Sequence, residues 1–352
     1  MNQDSCCSAV SGASGAAAAS PVMAEVWRGP IVESQHRGRA VVADAAGRVV
    51  ACWGDAEAPV YPRSAVKPVQ ALPLLETGAF YSFGLEPPEL ALACGSHHGE
   101  ARHTRMIQSW LGRIGCKPSD LECGAHPPFD EDAAADLIRA GTPATALHNN
   151  CSGKHAGMLT TARHCGEPIQ GYGRPDHPVQ QRIRAALAEM TGCDLAEAPC
   201  GTDGCGVPTF ALPLRGLAVA MARLADPHEL PSARAGAAER VREAWARHAT
   251  LIGGRTSFDT KLMQAVHGAV LVKSGGEGVV AAVLPRLKLG LALKIDDGTP
   301  RAKNVALLAV LHHLGVFDAG RWQGLSEFWA PAVTNWAGAA VGSIRPAPGL
   351  FE

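Results

Sequence analysis

The stretch AVLVKSGGEGVVAAVLPRLKLGLALKIDDG, residues 269–298, decides the architecture. It holds three aliphatic and β-branched runs, AVLVKSG, GVVAAVLP and LKLGLALKIDDG, with turn signals at Gly275-Gly276 and around Pro285. That pattern predicts successive strands joined by tight turns, and such short connections join antiparallel neighbours. The other end of the chain carries similar runs. Between Ala24 and Trp53, AEVWRG, PIVES, RAVVADA and RVVACWG read as short strands, punctuated by Gly38 and the Ala-Ala-Gly before Arg48. Between the two ends, apolar residues recur at helical spacing over 64–78, 101–114, 153–164, 178–191, 210–224 and 231–249. A last helix is predicted over about 301–315, and AVTNWAGAAVGSIRP (332–346) reads as partly extended. The expected fold is α+β: an antiparallel sheet from both chain ends (about 22–60 and 268–350) with a helical layer inserted (about 64–267). This makes one domain over 22–352, preceded by a Ser/Ala/Gly-rich tail over 1–21 that is expected to be disordered.

Composition narrows the function. Of 352 residues, 47% are hydrophobic and 18% charged, enough for a sizeable core. Thirty-two Lys and Arg against 33 Asp and Glu leave a net charge of −1, without the electropositive excess that nucleic-acid binding needs. No apolar run approaches a membrane span. The first 21 residues have neither a basic start nor a Leu-rich run, so they do not read as a secretory signal, and a cytoplasmic location is expected. The 11 cysteines are an odd number in a long chain, which argues for reduced thiols rather than a disulfide framework.

Lysine usage marks the chemistry. The chain carries 24 Arg but only 8 Lys, so a lysine beside Ser, Gly or Cys points to a need for an amine that can lose its proton. Lys67, Lys154 and Lys273 have such settings. In Arg63-Ser64-Ala65-Val66-Lys67, a serine at a helix start has a lysine one turn on and on the same face. A neutral amine there would take the hydroxyl proton and make Ser64 a nucleophile. Lys273-Ser274-Gly275-Gly276 ends a predicted strand, as the Lys-Ser/Thr-Gly element of penicillin-recognising serine enzymes does. Ser96, in Cys94-Gly95-Ser96-His97-His98, lies on a loop that could face a cleft. Cys151 and Cys205 sit in Gly-rich loops near predicted helix or turn starts, where thiol pKa falls and a soft divalent ion could bind.

Taken in order, RSAVKPVQ (63–70), ACGSHHGE (93–100), NNCSGKHAGM (149–158), GTDGCGVPT (201–209) and VKSGGEGV (272–279) resemble the bacterial asparaginase II family, the Rhizobium-type (class 3) L-asparaginases, over roughly 22–345. The resemblance implies a fold like those of serine β-lactamases and glutaminases, and hydrolysis of L-asparagine to L-aspartate and ammonia. It implies two Ser–Lys pairs, Ser64 with Lys67 and Ser96 with Lys273. It further implies one zinc ion on Cys151, Lys154 and Cys205, and a homodimer. Arg63 and Asp203 are expected to hold the substrate's α-carboxylate and α-amino groups, since an amino acid needs one fixed cation and one fixed anion. Backbone N–H groups of the nucleophile and of the loop near Gly275 are expected to stabilise the oxyanion. Two other readings fit the same residues: a β-lactamase-like serine esterase or amidase, and a non-catalytic zinc- or thiol-sensing protein.

Overall fold

A computed structural model describes residues 19–316 and 325–351. Of the tail expected over 1–21, residues 1–18 lie outside the described part. The first strand, β1 (Val22–Arg28), turns directly into β2 (Ile31–Asp44), which is followed by β3 (Val49–Trp53). Two small ribbons lie in the helical part of the chain. One pairs β4 (Pro59–Val60) with β7 (Leu212–Pro213), the other β5 (Cys200–Thr202) with β6 (Pro208–Phe210). The chain then returns to the main sheet with β8 (Leu271–Ser274), β9 (Val279–Leu284), β10 (Leu289–Ile295), β11 (Ala332–Thr334) and β12 (Ala340–Pro346). The strand order is β11-β12-β1-β2-β10-β9-β8, antiparallel throughout, with β3 also on β2. Both chain ends therefore build one sheet, and the fold is α+β.

β2 is the hinge of this sheet. Its first half pairs with β1, while its second half pairs with β10 along one edge and β3 along the other. The sequence suggested two runs broken at Gly38, but the strand passes straight through it. A Cβ at Gly38 would stand 2.4 Å from the Lys294 carbonyl oxygen, so this glycine marks the close approach of β10 rather than a turn.

β9 is buried along its whole length, as a continuous apolar run without alternation requires. Helix Leu214–Ala225 packs on β10, β2 and β9, and helix Pro300–His313 packs on β12, β1 and β10. Five of the inserted helices lie close to their predicted places: Ala101–Arg113, Ser152–His164, Pro178–Thr191, Leu214–Ala225 and Ser232–Arg247. The segment expected as one helix over 64–78 is instead a 3₁₀ turn (Arg63–Val66) and two short helices, Lys67–Gln70 and Leu72–Glu76. Pro68 and Pro73 each fall in a first helical turn, the one place where proline's missing N–H is tolerated. Helix Pro87–Cys94 was not foreseen, because it is buried from Glu89 to Cys94 and so has no polar face to set a period. Among the described residues, no helix is long and apolar enough to cross a membrane, and the cysteines are free thiols.

The contact between sheet and helix is a backbone contact at one point. A Cβ at Gly290 on β10 would lie 2.0 Å from the Ala218 carbonyl oxygen and 2.2 Å from the Ala222 nitrogen. Gly290→Ala should therefore force helix Leu214–Ala225 off the sheet and cost about 3 kcal/mol, the upper part of the overpacking range. Urea unfolding would show this as a lowered midpoint; an unchanged midpoint would contradict the packing.

Candidate active site

A cleft of about 540 Å³ opens where β8, last in the strand order, meets the Arg63–Val66 turn and the loops after helices Pro87–Cys94 and Ala249–Gly253. Arg63, Ser64, Ser96, Cys151, Asp203, Cys205 and Lys273 all line it. Lys67 and Lys154 are buried. The candidates from five separate motifs are thus gathered around one cleft.

The lysines and serines meet in a different pairing from the expected one. Lys67 Nζ donates to Ser96 Oγ at 2.9 Å and to the carbonyls of Gly95 at 2.7 Å and Asn150 at 3.4 Å. It makes no hydrogen bond to Ser64. A fully buried amine needs several acceptors, and two carbonyls beside a hydroxyl satisfy it better than Ser64 alone could. Ser96 is fixed by its own N–H, which donates to the Ile252 carbonyl at 2.7 Å. Ser64 sits in the 3₁₀ turn with its side chain on the cleft wall. Arg63 before it has φ of +51°, a left-handed conformation that costs energy in a non-glycine residue and often accompanies a functional constraint.

Among the described residues, Lys273 Nζ donates to the Ser274 carbonyl at 2.8 Å and not to Ser96. Burial lowers its pKa to about 7, with the nearby charges of Lys67 and Lys303 adding to the effect and Asp259 opposing it. In the loop near Gly275, where an oxyanion donor is expected, the Gly275 N–H itself is engaged: it donates to the Val279 carbonyl at 2.8 Å. His97, next to Ser96, is a buried neutral imidazole. Its Nδ1 accepts from the Gly99 N–H at 3.1 Å, so its Nε2 donates to Ser152 Oγ at 2.8 Å. Burial holds its pKa well below the usual histidine value.

The thiol loops converge as well. Cys151 lies at the start of helix Ser152–His164, its N–H held by Asn149 Oδ1 at 2.8 Å. Lys154, one turn into that helix, donates to Cys205 Sγ at 3.0 Å. A hydrogen bond from Cys205 holds the Cys151 thiol well below the usual range, and that same bond, with burial, pushes Cys205 up. Burial opposes the charge on Lys154, but Cys151, Cys205 and Asp203 outweigh it and raise its pKa. Two sulfurs and an amine thus lie together, a donor set of the kind that suits a soft divalent ion. Among the described residues, no three His, Cys, Asp or Glu side chains converge in this way. Arg63 Nε donates to Asp203 Oδ1 at 2.6 Å, so the expected substrate anchors hold each other. Burial pushes the Asp203 carboxyl up, but Lys154 and Arg63 outweigh it and leave the pKa below the usual value.

The cleft also holds His98, one of the paired histidines beside Ser96, together with Asn150, Asp259, Ser274, Lys303 and Asn304, to which the sequence gives no role of their own. Ser274 lies inside the Lys-Ser-Gly element. Lys303 is one of just eight lysines in an arginine-rich chain, but it has no Ser, Gly or Cys beside it to mark it further.

Solved structures similar to the chain include a β-lactamase from Mycobacterium bovis, 13% identical with a TM-score of 0.41, covering 83% of this chain and 94% of that one. Mglu in its native form is 14% identical with a TM-score of 0.47, covering 85% and 70%. A simvastatin synthase from Aspergillus terreus is 11% identical with a TM-score of 0.35, covering 76% and 90%. Comparison of the sequence with curated proteins finds no match. A sequence model of L-asparaginase II matches residues 24–346, and so spans every motif that lines the cleft: the chain belongs to the L-asparaginase II family, and it is an amidohydrolase.

Proposed function

We propose that the protein hydrolyses L-asparagine to L-aspartate and ammonia by serine–lysine catalysis. The observation that carries this reading is a serine hydroxyl, Ser96, 2.9 Å from the fully buried Lys67 amine, in a cleft shared with a second buried lysine, Lys273. Ser64, whose side chain lines the cleft, is the nucleophile: its oxygen attacks the side-chain carboxamide carbon and its proton passes to an amine of the cleft. Lys273 is the amine that loses its own proton near neutral pH and so serves as acceptor. Lys67, through Ser96, fixes a hydroxyl that relays protons across the site. The C–N bond then breaks, ammonia leaves with the returned proton, and water hydrolyses the ester to release aspartate. The nucleophile's own N–H is the oxyanion donor this reading keeps. Arg63 and Asp203 present a cation and an anion to the α-carboxylate and α-amino groups, which selects a small amino acid.

Cys151, Lys154 and Cys205 would hold one zinc ion. When bound, it supplies structural cross-linking of the two loops and positive charge beside Asp203. Each ligand must be deprotonated to bind, so affinity falls with pH. Metal analysis should find about one zinc per chain, lost in Cys151→Ser and Cys205→Ser and released more readily below neutral pH than above it. Retention of the metal in both variants would remove these residues as ligands.

Purified protein should release ammonia from asparagine and leave a chromogenic β-lactam intact; the reverse pattern would favour an esterase or β-lactamase. Ser64→Ala should lower kcat by about a thousandfold or more, the scale expected for a missing nucleophile. A variant retaining above about a tenth of the rate would transfer that role to another residue. Because the neutral form of Lys273 is the active one, kcat/KM should rise with pH through about 7. A profile that is flat from acid to alkaline pH would contradict the assignment of Lys273 as the base.

A further inference from the structure

Ser274, the last residue of β8, is held at each of its polar atoms. Its N–H donates to Asp259 Oδ2 at 2.8 Å and its hydroxyl to Asp259 Oδ1 at 2.6 Å. The hydroxyl oxygen accepts from Lys303 Nζ at 2.7 Å, and the carbonyl accepts from Lys273 Nζ at 2.8 Å. Asp259 stands in the first turn of helix Phe258–Ala265, whose start is fixed by Ser257 accepting the Thr260 N–H at 3.1 Å. Lys303 stands in the first turn and a half of helix Pro300–His313. Both are buried, and with Ser274 they line the cleft.

Pairing of β8 with β9 does not need this arrangement. Burying a carboxylate and an amine on either side of one hydroxyl carries a desolvation cost that strand formation alone would not select. What the arrangement does fix is the carbonyl that anchors the Lys273 amine. We propose that Lys303 and Asp259 are positioning residues that hold the Lys273 amine through Ser274 and set, by their opposed charges, the pH at which it accepts a proton. This rests on the reading of Lys273 as the proton acceptor given above.

The charged and titratable groups facing Lys273 come from every side. Asp259 and Lys303 lie on the two helices just named, Lys67 on helix Lys67–Gln70, and Cys151 at the start of helix Ser152–His164. Cys94 ends helix Pro87–Cys94, and His98 lies on the loop beyond it. Of these, Asp259 and Lys303 are the two that bond to the residue holding the Lys273 amine. Burial is the main cause of the lowered Lys273 pKa; Asp259 works against it and Lys303 with it.

The test is the pH profile of asparagine hydrolysis in Lys303→Met, Lys303→Arg and Asp259→Asn, with thermal melts to confirm folding. Removing the positive charge should move the rising limb of kcat/KM to higher pH by about one unit, and removing the negative charge should move it lower by a similar amount. Lys303→Arg keeps the charge and should leave the limb near its wild-type position. If Asp259→Asn does not fold, the Met and Arg pair at Lys303 decides alone. A wild-type limb that stays in place in Lys303→Met overturns the proposal, even if kcat falls, since a purely structural role would cost rate without moving the limb. A wild-type profile with no limb at all overturns both this proposal and the assignment of Lys273 on which it rests.

Discussion

A lysine amine taken out of water must find acceptors or give up its proton, and four buried amines around one cleft answer that demand differently. Lys67 has two carbonyls and a hydroxyl. Lys154 has the Cys205 thiol, with Cys151 and the Asp203 carboxylate near, and without a metal these raise its pKa and keep it charged. Lys303 has the Ser274 hydroxyl, behind which stands Asp259. Lys273 has the Ser274 carbonyl, and its pKa falls to about 7. Burial, the largest influence on Lys273, is not offset there as it is at Lys154, and this leaves Lys273 as an amine that titrates near neutrality.

The fold supplies those different surroundings because the cleft is assembled from distant parts of the chain. β8 is last in the strand order, so one side of it is free to face the Arg63–Val66 turn instead of another strand. The turn at Gly275-Gly276 lies against the Pro62 carbonyl and the Arg63 guanidinium, which brings the turn that carries Ser64 onto the strand end. The inserted helices contribute by their starts. Cys151 precedes one helix and Asp259 lies in the first turn of another, both places where an anionic side chain is favoured by unpaired N–H groups. The sheet provides the rigid edge, and the helical layer provides the charges set against it.

Much of this was legible in the sequence, and the parts that were not have a common cause. Local pattern gave the strands of 269–298 and most of the longer helices, because periodicity and turn residues act over a few positions. The motifs brought Ser64, Ser96, Lys273, Cys151 and Cys205 to one cleft, since each is marked by small or titratable neighbours that a plain surface loop would not need. The pairing of Lys67 with Ser96 was not legible. It depends on where the loop after helix Pro87–Cys94 crosses Ile252, a contact between segments more than 150 residues apart, and on the Asn150 carbonyl supplied by a third. Asp259 and Lys303 have no motif around them at all. Their importance arises from tertiary placement, and only the rarity of lysine in this chain hinted at one of them.

The thiol cluster also bears on the amines, although it is a separate set of atoms. Hydrogen bonding from Cys205 gives Cys151 thiolate character, and that negative charge lies close to both Lys154 and Lys67. Without it, several buried cations would face one another with little compensation, and their repulsion would add to the desolvation cost of each. With it, the positive charge of Lys154 is balanced locally, and Lys273 feels a modest restoring pull from Cys151 as well as from Asp259. The low pKa of Lys273 is therefore mainly a consequence of its dry surroundings rather than of crowding by like charge. What keeps the pKa of this amine low is therefore the exclusion of water around β8, where Cys94, Val272 and Ala281 are fully buried, as much as any single charged neighbour.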